Sequence, residues 1–124
     1  MTKKAEYKIS SSVNETILEI TLTGEITEEA VPKLEFEVVN IIKSNNLKNL
    51  LVDFRSIKGR FGYIEAYERV RNYPPDRYKM KNAIVDMPEH SDYASFQETT
   101  ARNAGLSWKS FTDMDAARSW LKND

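Results

Sequence analysis

The chain contains no cysteine and a single histidine, His90, in 124 residues. Without thiols there is no disulfide, no thiolate metal site and no cysteine nucleophile. With one imidazole, a multi-histidine metal centre cannot be assembled within one chain. Long apolar stretches are also missing. The longest uninterrupted runs reach three or four residues, far short of the roughly 20 that a membrane-spanning helix needs. The opening MTKKAEYKISSS has an early Lys3–Lys4 pair with no apolar segment behind it, so it does not read as a signal peptide. These absences imply a cytoplasmic chain with no integral membrane association.

A net charge of −1 argues against a general nucleic-acid binder. With 40% hydrophobic and 30% charged residues the composition is that of an ordinary globular protein, long enough to bury one core unaided. No linker or repeat divides it, so residues 1–124 read as one domain. Charge is nevertheless uneven. Residues 55–81 hold eight Lys/Arg (Arg55, Lys58, Arg60, Arg69, Arg71, Arg77, Lys79, Lys81) against Glu65, Glu68 and Asp76. That segment carries +5 and the remainder −6. A solvated surface with a Glu65–Arg69 pair four apart on a helix accounts for this, as does an anion-attracting face.

Periodicity supplies the elements. TILEITLTG alternates, with Leu18, Ile20 and Leu22 on one side and Glu19, Thr21 and Thr23 on the other, which is a half-buried strand. AEYKISSS alternates more weakly, and a turn at Val13–Asn14–Glu15 would fold the two into a hairpin. From Glu25 to Asn46 the period becomes helical through Val31, Leu34, Val38, Ile41 and Ile42, with Thr27 as N-cap and Pro32 in the first turn. LKNLLVDF reads as a fully buried strand and YIEAYERVRNY as a helix with Tyr63, Tyr67 and Val70 on one stripe. Ala83, Ile84 and Val85 mark another buried strand. Ser91 or Asp92 then caps a helix carrying Tyr93, Phe96, Thr100 and Ala104, ended by Gly105. LSWKSF is a short last strand. Asp113 caps a final helix with Met114, Ala117, Trp120 and Leu121 on its apolar face.

The order β-β-α-β-α-β-α-β-α predicts an α/β sandwich: a mixed five-stranded sheet, antiparallel at its N-terminal hairpin and parallel thereafter, covered by four helices. Ligands of such sheets gather beyond the carboxyl ends of the parallel strands. Those ends bring Asp53, Arg55, Lys58, Arg60, Asp86, His90, Asp92 and Asp113 to one rim. Acid–base catalysis by Asp53 and His90 requires the two in hydrogen-bond reach. Against it, an aspartate closing a strand commonly caps nearby backbone, and His90 lies in a polar loop. No G-x-S-x-G elbow, dinucleotide fingerprint or P-loop is present. Gly59 and Gly62 free the backbone around Arg60 and Phe61 just before a helix. Helix amides with Arg55, Lys58 and Arg60 would there receive an anion, and Phe61 is either a core anchor or an exposed contact.

Taken in order, ILEITLTGEIT, the LLVDFR…GRFG corner, NAIVDM and FQETTARNAGLSWKSFTDMDAARSWL resemble the SpoIIAA-like branch of the STAS superfamily over roughly residues 15–122. The resemblance implies a STAS-type sandwich, related in shape to CRAL-TRIO lipid-transfer domains. Anti-anti-sigma factors of that superfamily carry a phosphorylatable serine or threonine at this corner, in a D-S-S/T-G-type motif. Here GRFG stands in its place and Ser56 falls too early. The implied function is a non-enzymatic binding or regulatory domain without a phospho-switch, acting through residues 55–67 on a protein partner or small anionic ligand. The candidate binding residues are Arg55, Lys58, Arg60, Phe61, Gly62, Tyr63, Tyr67 and His90. The alternative is a carrier of a small apolar or lipid-like ligand, with Phe61, Tyr63, Tyr67 and Tyr93 lining its pocket. A sizeable closed apolar cavity beside the corner would favour the carrier. No cofactor or metal is called for, and a homodimer is left open.

Overall fold

Alternation in the N-terminal part produces a hairpin. Strand β1 (Tyr7–Asn14) pairs antiparallel with β2 (Ile17–Glu25) in the computed structural model, which describes residues 7–60, 63–73 and 75–123. The turn falls at Glu15–Thr16, later than Val13–Glu15, because Asn14 still pairs with Ile17; Glu15 takes the left-handed conformation that this tight reversal needs. Leu18, Ile20 and Leu22 are buried on one face of β2, as the alternation requires.

Helix α1 (Val31–Asn45) starts later than its sequence signals suggest. Thr27 makes no side-chain cap; a 3-10 turn over Glu28–Ala30 intervenes, and Pro32 occupies the first turn of the α-helix proper. That is where proline's missing N–H has no partner to lose. Leu34, Val38 and Ile42 form its buried stripe.

Strand β3 (Asn49–Lys58) runs parallel to β2, followed by α2 (Tyr63–Arg71), a 3-10 turn at Pro75–Lys79, and β4 (Lys81–Val85). After a second 3-10 turn at Pro88–His90 come α3 (Ser91–Asn103), β5 (Ser107–Phe111) and α4 (Met114–Lys122). Neither Ser91 nor Asp92 caps α3: Ser91 is already helical, and His90 precedes it without a side-chain cap. Asp113 does cap α4, its carboxylate accepting from Ala116 N at 3.0 Å.

The strands lie in sequence order, β1-β2-β3-β4-β5, with only the β1–β2 pair antiparallel. The apolar β3 is therefore central, and the weak first and last strands are the edges. Each parallel connection crosses in the same direction, and right-handed crossovers then place α1, α2 and α3 on one face. Two cores result. On the first face Ile20, Val52, Ile84 and Trp108 pack beneath the three helices, while on the second Leu51, Ala83 and Val85 pack against Ala117 and Leu121 of α4.

Candidate functional site

The corner at the end of β3 is tighter than its composition suggests. The strand does not stop at Phe54; Ser56, Ile57 and Lys58 pair with Thr23, Gly24 and Glu25 of β2 beyond a bulge between Thr21 and Thr23. Most of the basic "loop" is thus strand, and its side chains are divided between the two faces. Gly59 makes the turn at φ 74°, a conformation that favours glycine. Helix α2 starts at Tyr63.

Arg60 turns inward from this corner. Its Nε donates to Asp86 Oδ2 at 3.0 Å and its Nη2 to Asp86 Oδ1, a two-pronged pair across the ends of β3 and β4. Further donations reach Phe54 O at 3.0 Å, Ile57 O at 2.9 Å and Gly59 O. The side chains of Arg60 and Asp86 are 11% and 5% exposed. Asp86 also accepts from its neighbour Met87 N at 2.7 Å. This arrangement fastens the corner to β4, and it engages the guanidinium that the sequence offered as an anion receptor.

Beside the corner, between the sheet and α1–α3, lies a cavity of about 420 Å³. Its floor is Leu22, Val52 and Ile84; Leu34 and Val38 of α1 and Tyr93 and Gln97 of α3 form the other walls. The exposed lining residues Glu25, Lys58 and Gly59 place its mouth at the β2 and β3 ends. The volume falls within the roughly 300–1,000 Å³ typical of small-molecule sites.

Inside, polar groups stand among these apolar walls. Glu35 of α1 faces Arg69 of α2 at 3.7 Å, and Arg69 Nη2 donates to the Tyr93 hydroxyl at 3.3 Å. Burial pushes the Glu35 carboxyl above its ordinary range, opposed by the positive charges of Arg69 and Arg77. Arg77, from the turn before β4, is 5% exposed and donates through Nε to Asn82 Oδ1 at 3.2 Å. Its guanidinium carbon sits 4.3 Å from the Tyr73 ring centroid and 5.8 Å from that of Trp108. Asn82, fully buried, is held by Ser107 O at 3.0 Å and Met80 O at 3.2 Å. A shallower cleft outside, between the start of α1 and the end of α2, shares Glu35, Arg69 and Tyr73 with the cavity, so these three form the partition between the two.

The other face of the sheet holds a separate set of charges. Asp53 accepts from Arg55 Nε, Nη2 and backbone N, each at 3.0 Å. Burial raises the Asp53 carboxyl, but the hydrogen bonds from Arg55 outweigh it and leave the group below its ordinary value. Glu19 is lowered by hydrogen bonds from Arg118, against burial; Arg118 Nε and Nη2 lie 2.7 and 2.9 Å from its oxygens. Carboxylates depressed in the folded state contribute stability above their unfolded values that is lost as pH falls through the folded ones. Glu35, which is raised, has the opposite sign: its contribution is present in acid and disappears as pH rises through its folded value. Stability measured by urea unfolding should therefore drop as pH falls below about 4.5, and Glu19→Gln should flatten part of that drop. An unchanged acid limb in the variant would show that Glu19 does not contribute to it.

The structure distributes the sequence candidates unequally. Lys58 and Arg60 line the cavity, and Tyr93 joins them from α3. Arg55 is bound to Asp53 away from the cavity lining. Tyr67 is 46% exposed on α2, with Arg71 stacked 5.5 Å over its ring. His90 is half-buried at the end of its 3-10 turn and lines no described pocket. Phe61, Gly62 and the side chain of Tyr63 lie outside the described residues. Sequence reasoning missed Glu35, Tyr73, Arg77, Gln97 and Trp108. Arg77 belongs to the basic segment, but charge alone does not reveal its burial; Gln97 takes a core position on α3 with Ala101, offset from the Tyr93–Phe96–Thr100 stripe.

No protein-family model matches the chain, and no curated protein does. Solved structures do. An anti-sigma factor antagonist from Mycobacterium paratuberculosis superposes with a TM-score of 0.69 at 11% identity, over 99% of this chain and 100% of that one. An uncharacterized DUF3478-family protein with a SpoIIAA-like fold from Shewanella loihica PV-4 superposes with a TM-score of 0.51 at 20% identity, over 98% of each chain. At such identities the likeness is one of fold. The chain has the SpoIIAA-like α/β fold, the architecture that its sequence resemblance implies.

Proposed function

We propose that this chain is a non-enzymatic ligand-binding domain, and that its ligand enters the cavity beside the β3–α2 corner. The carrying observation is the cavity itself: about 420 Å³ walled by aliphatic side chains and provided with buried polar groups. A close-packed interior holds few voids larger than a water molecule, so a space of this size at a strand–helix junction is read as a site. The cavity is open at the β2 and β3 ends rather than closed, and its aliphatic walls favour the carrier among the readings that the sequence offers. Asp53 supports no acid–base role, since both its oxygens are engaged by Arg55. The domain would work without a phospho-switch: Ser56 is the only serine or threonine between residues 53 and 71, and it lies within β3.

A protein partner is a second reading, supported by Ile64 and Tyr67, which are 72% and 46% exposed on α2. A regulatory domain could use both, with the ligand in the cavity altering what α2 presents. No described helix is long and apolar enough to cross a membrane, and a cytoplasmic location is part of the same proposal.

Uptake of the neutral dye Nile red by the purified, delipidated protein tests the cavity directly. Saturable binding of one dye per chain, with a blue-shifted emission, is expected. Emission identical to that in buffer would overturn the reading.

A further inference from the structure

We infer that the cavity's ligand is an amphiphilic monocarboxylate whose carboxylate is received by Arg77, with its apolar remainder along Val52, Ile84 and Val38. The inference deepens the cavity reading and rests on it.

The argument starts from charge balance. Two of the three arginines that line the cavity have carboxylate partners: Arg60 has Asp86, and Arg69 has Glu35. Arg77 has none among the described residues; Glu35 lowers its isolation only at longer range, through the field that each exerts on the other. A guanidinium with 5% exposure and no counter-charge is costly to bury. Asn82 holds it through Nε, and the Tyr73 and Trp108 rings lie 4.3 and 5.8 Å from its guanidinium carbon. This leaves the terminal Nη groups as donors, in a fork suited to a carboxylate.

One other buried donor independently lacks an acceptor. The Trp108 indole Nε1 is buried with no hydrogen-bond partner, and Trp108 lines the cavity. Gln97, 4% exposed, presents a further polar side chain to the same cavity. Burial raises the Tyr73 hydroxyl, with Arg77 opposing, so Tyr73 remains a neutral donor at physiological pH. Unsatisfied buried donors each cost free energy. An acceptor group with a single negative charge, placed at Arg77 and the neighbouring Trp108 indole, corrects the shortage and the charge excess together. A dianion would overshoot Arg77, the one buried cation without a carboxylate partner among the described residues, and a neutral amphiphile would leave it unpaired. The aliphatic walls require that the rest of the ligand be apolar.

Displacement of Nile red from the full chain by decanoate, methyl decanoate and decylamine at neutral pH tests the assignment. Decanoate should bind at least tenfold more tightly than its methyl ester, and decylamine more weakly than either. Arg77→Met should bring acid and ester to equal affinity. Should that variant fail to fold, Gln97→Leu provides an independent check, with an expected severalfold loss for the acid and little change for the ester. Equal binding of acid and ester by the wild-type chain, or failure of both to displace bound dye, would overturn the carboxylate assignment and leave the cavity reading standing. Absence of dye uptake would overturn both.

Discussion

Arg60→Met should lower the unfolding free energy by about 3–5 kcal/mol, the range seen when one partner of a buried ion pair is removed. The loss does not come from the attraction alone. Methionine leaves the Asp86 carboxylate, whose side chain is 5% exposed, without its opposite charge, and leaves Phe54 O and Ile57 O without a donor. A charge in that position must draw in water, which disturbs the end of β4. The double variant Arg60→Met/Asp86→Leu should recover much of the loss, because an apolar pair of similar volume often costs little. Urea unfolding of the three variants measures the cycle. A single-variant loss under about 1 kcal/mol, the scale of an exposed pair, would show that the bridge does not fasten the corner. The result also bears on function: Arg60 belongs to the scaffold of the cavity mouth, and its removal should change ligand entry through the fold rather than through a lost contact.

Val52→Phe should abolish Nile red uptake, by at least tenfold, while stability shifts by no more than about 1 kcal/mol in either direction. In a filled core the same enlargement typically costs about 1–3 kcal/mol. Val52 lies on central β3, and strand alternation directs its side chain to the cavity floor. The added ring therefore has empty space to enter. Its neighbour Leu51 supplies the control, since it is fully buried in the opposite core against α4. Leu51→Phe should incur the overpacking cost and leave dye uptake intact. Equal destabilisation by both substitutions would mean that β3 is packed alike on its two faces. Undiminished uptake by Val52→Phe would place the dye elsewhere.

The legible part of this protein was the part written in short-range patterns. Period-two alternation in β2, the apolar runs of β3 and β4, the helical spacing of Leu34, Val38 and Ile42, and the Asp113 cap depend on residues near each other in sequence. Their order then leaves few topologies, because crossovers are right-handed. Boundaries were less legible where pairing with another strand decided them. β3 continues through Ser56, Ile57 and Lys58 because β2 offers partners there, and no local signal in DFRSIK announces that extension. Cap residues behaved similarly: Thr27 and Ser91 have the right chemistry, but 3-10 turns precede both helices and change where the first helical N–H groups point.

The candidate site needed three dimensions almost entirely. Arg55 and Arg60 are five residues apart in one basic stretch, yet Arg55 binds Asp53 while Arg60, which lines the cavity, binds Asp86. Arg77 is indistinguishable in sequence from its basic neighbours, and only the packing of Tyr73, Asn82 and Trp108 around it makes it a buried cation. By itself the sequence determined the elements, their order and the absence of a serine from the GRFG stretch, since these follow from local periodicity, chain connectivity and residue identity. The tertiary structure alone decided which charges are paired, which polar groups are buried and where space remains. Those outcomes depend on side chains brought together from distant segments, and the free energy of burying a charge is set by everything that surrounds it.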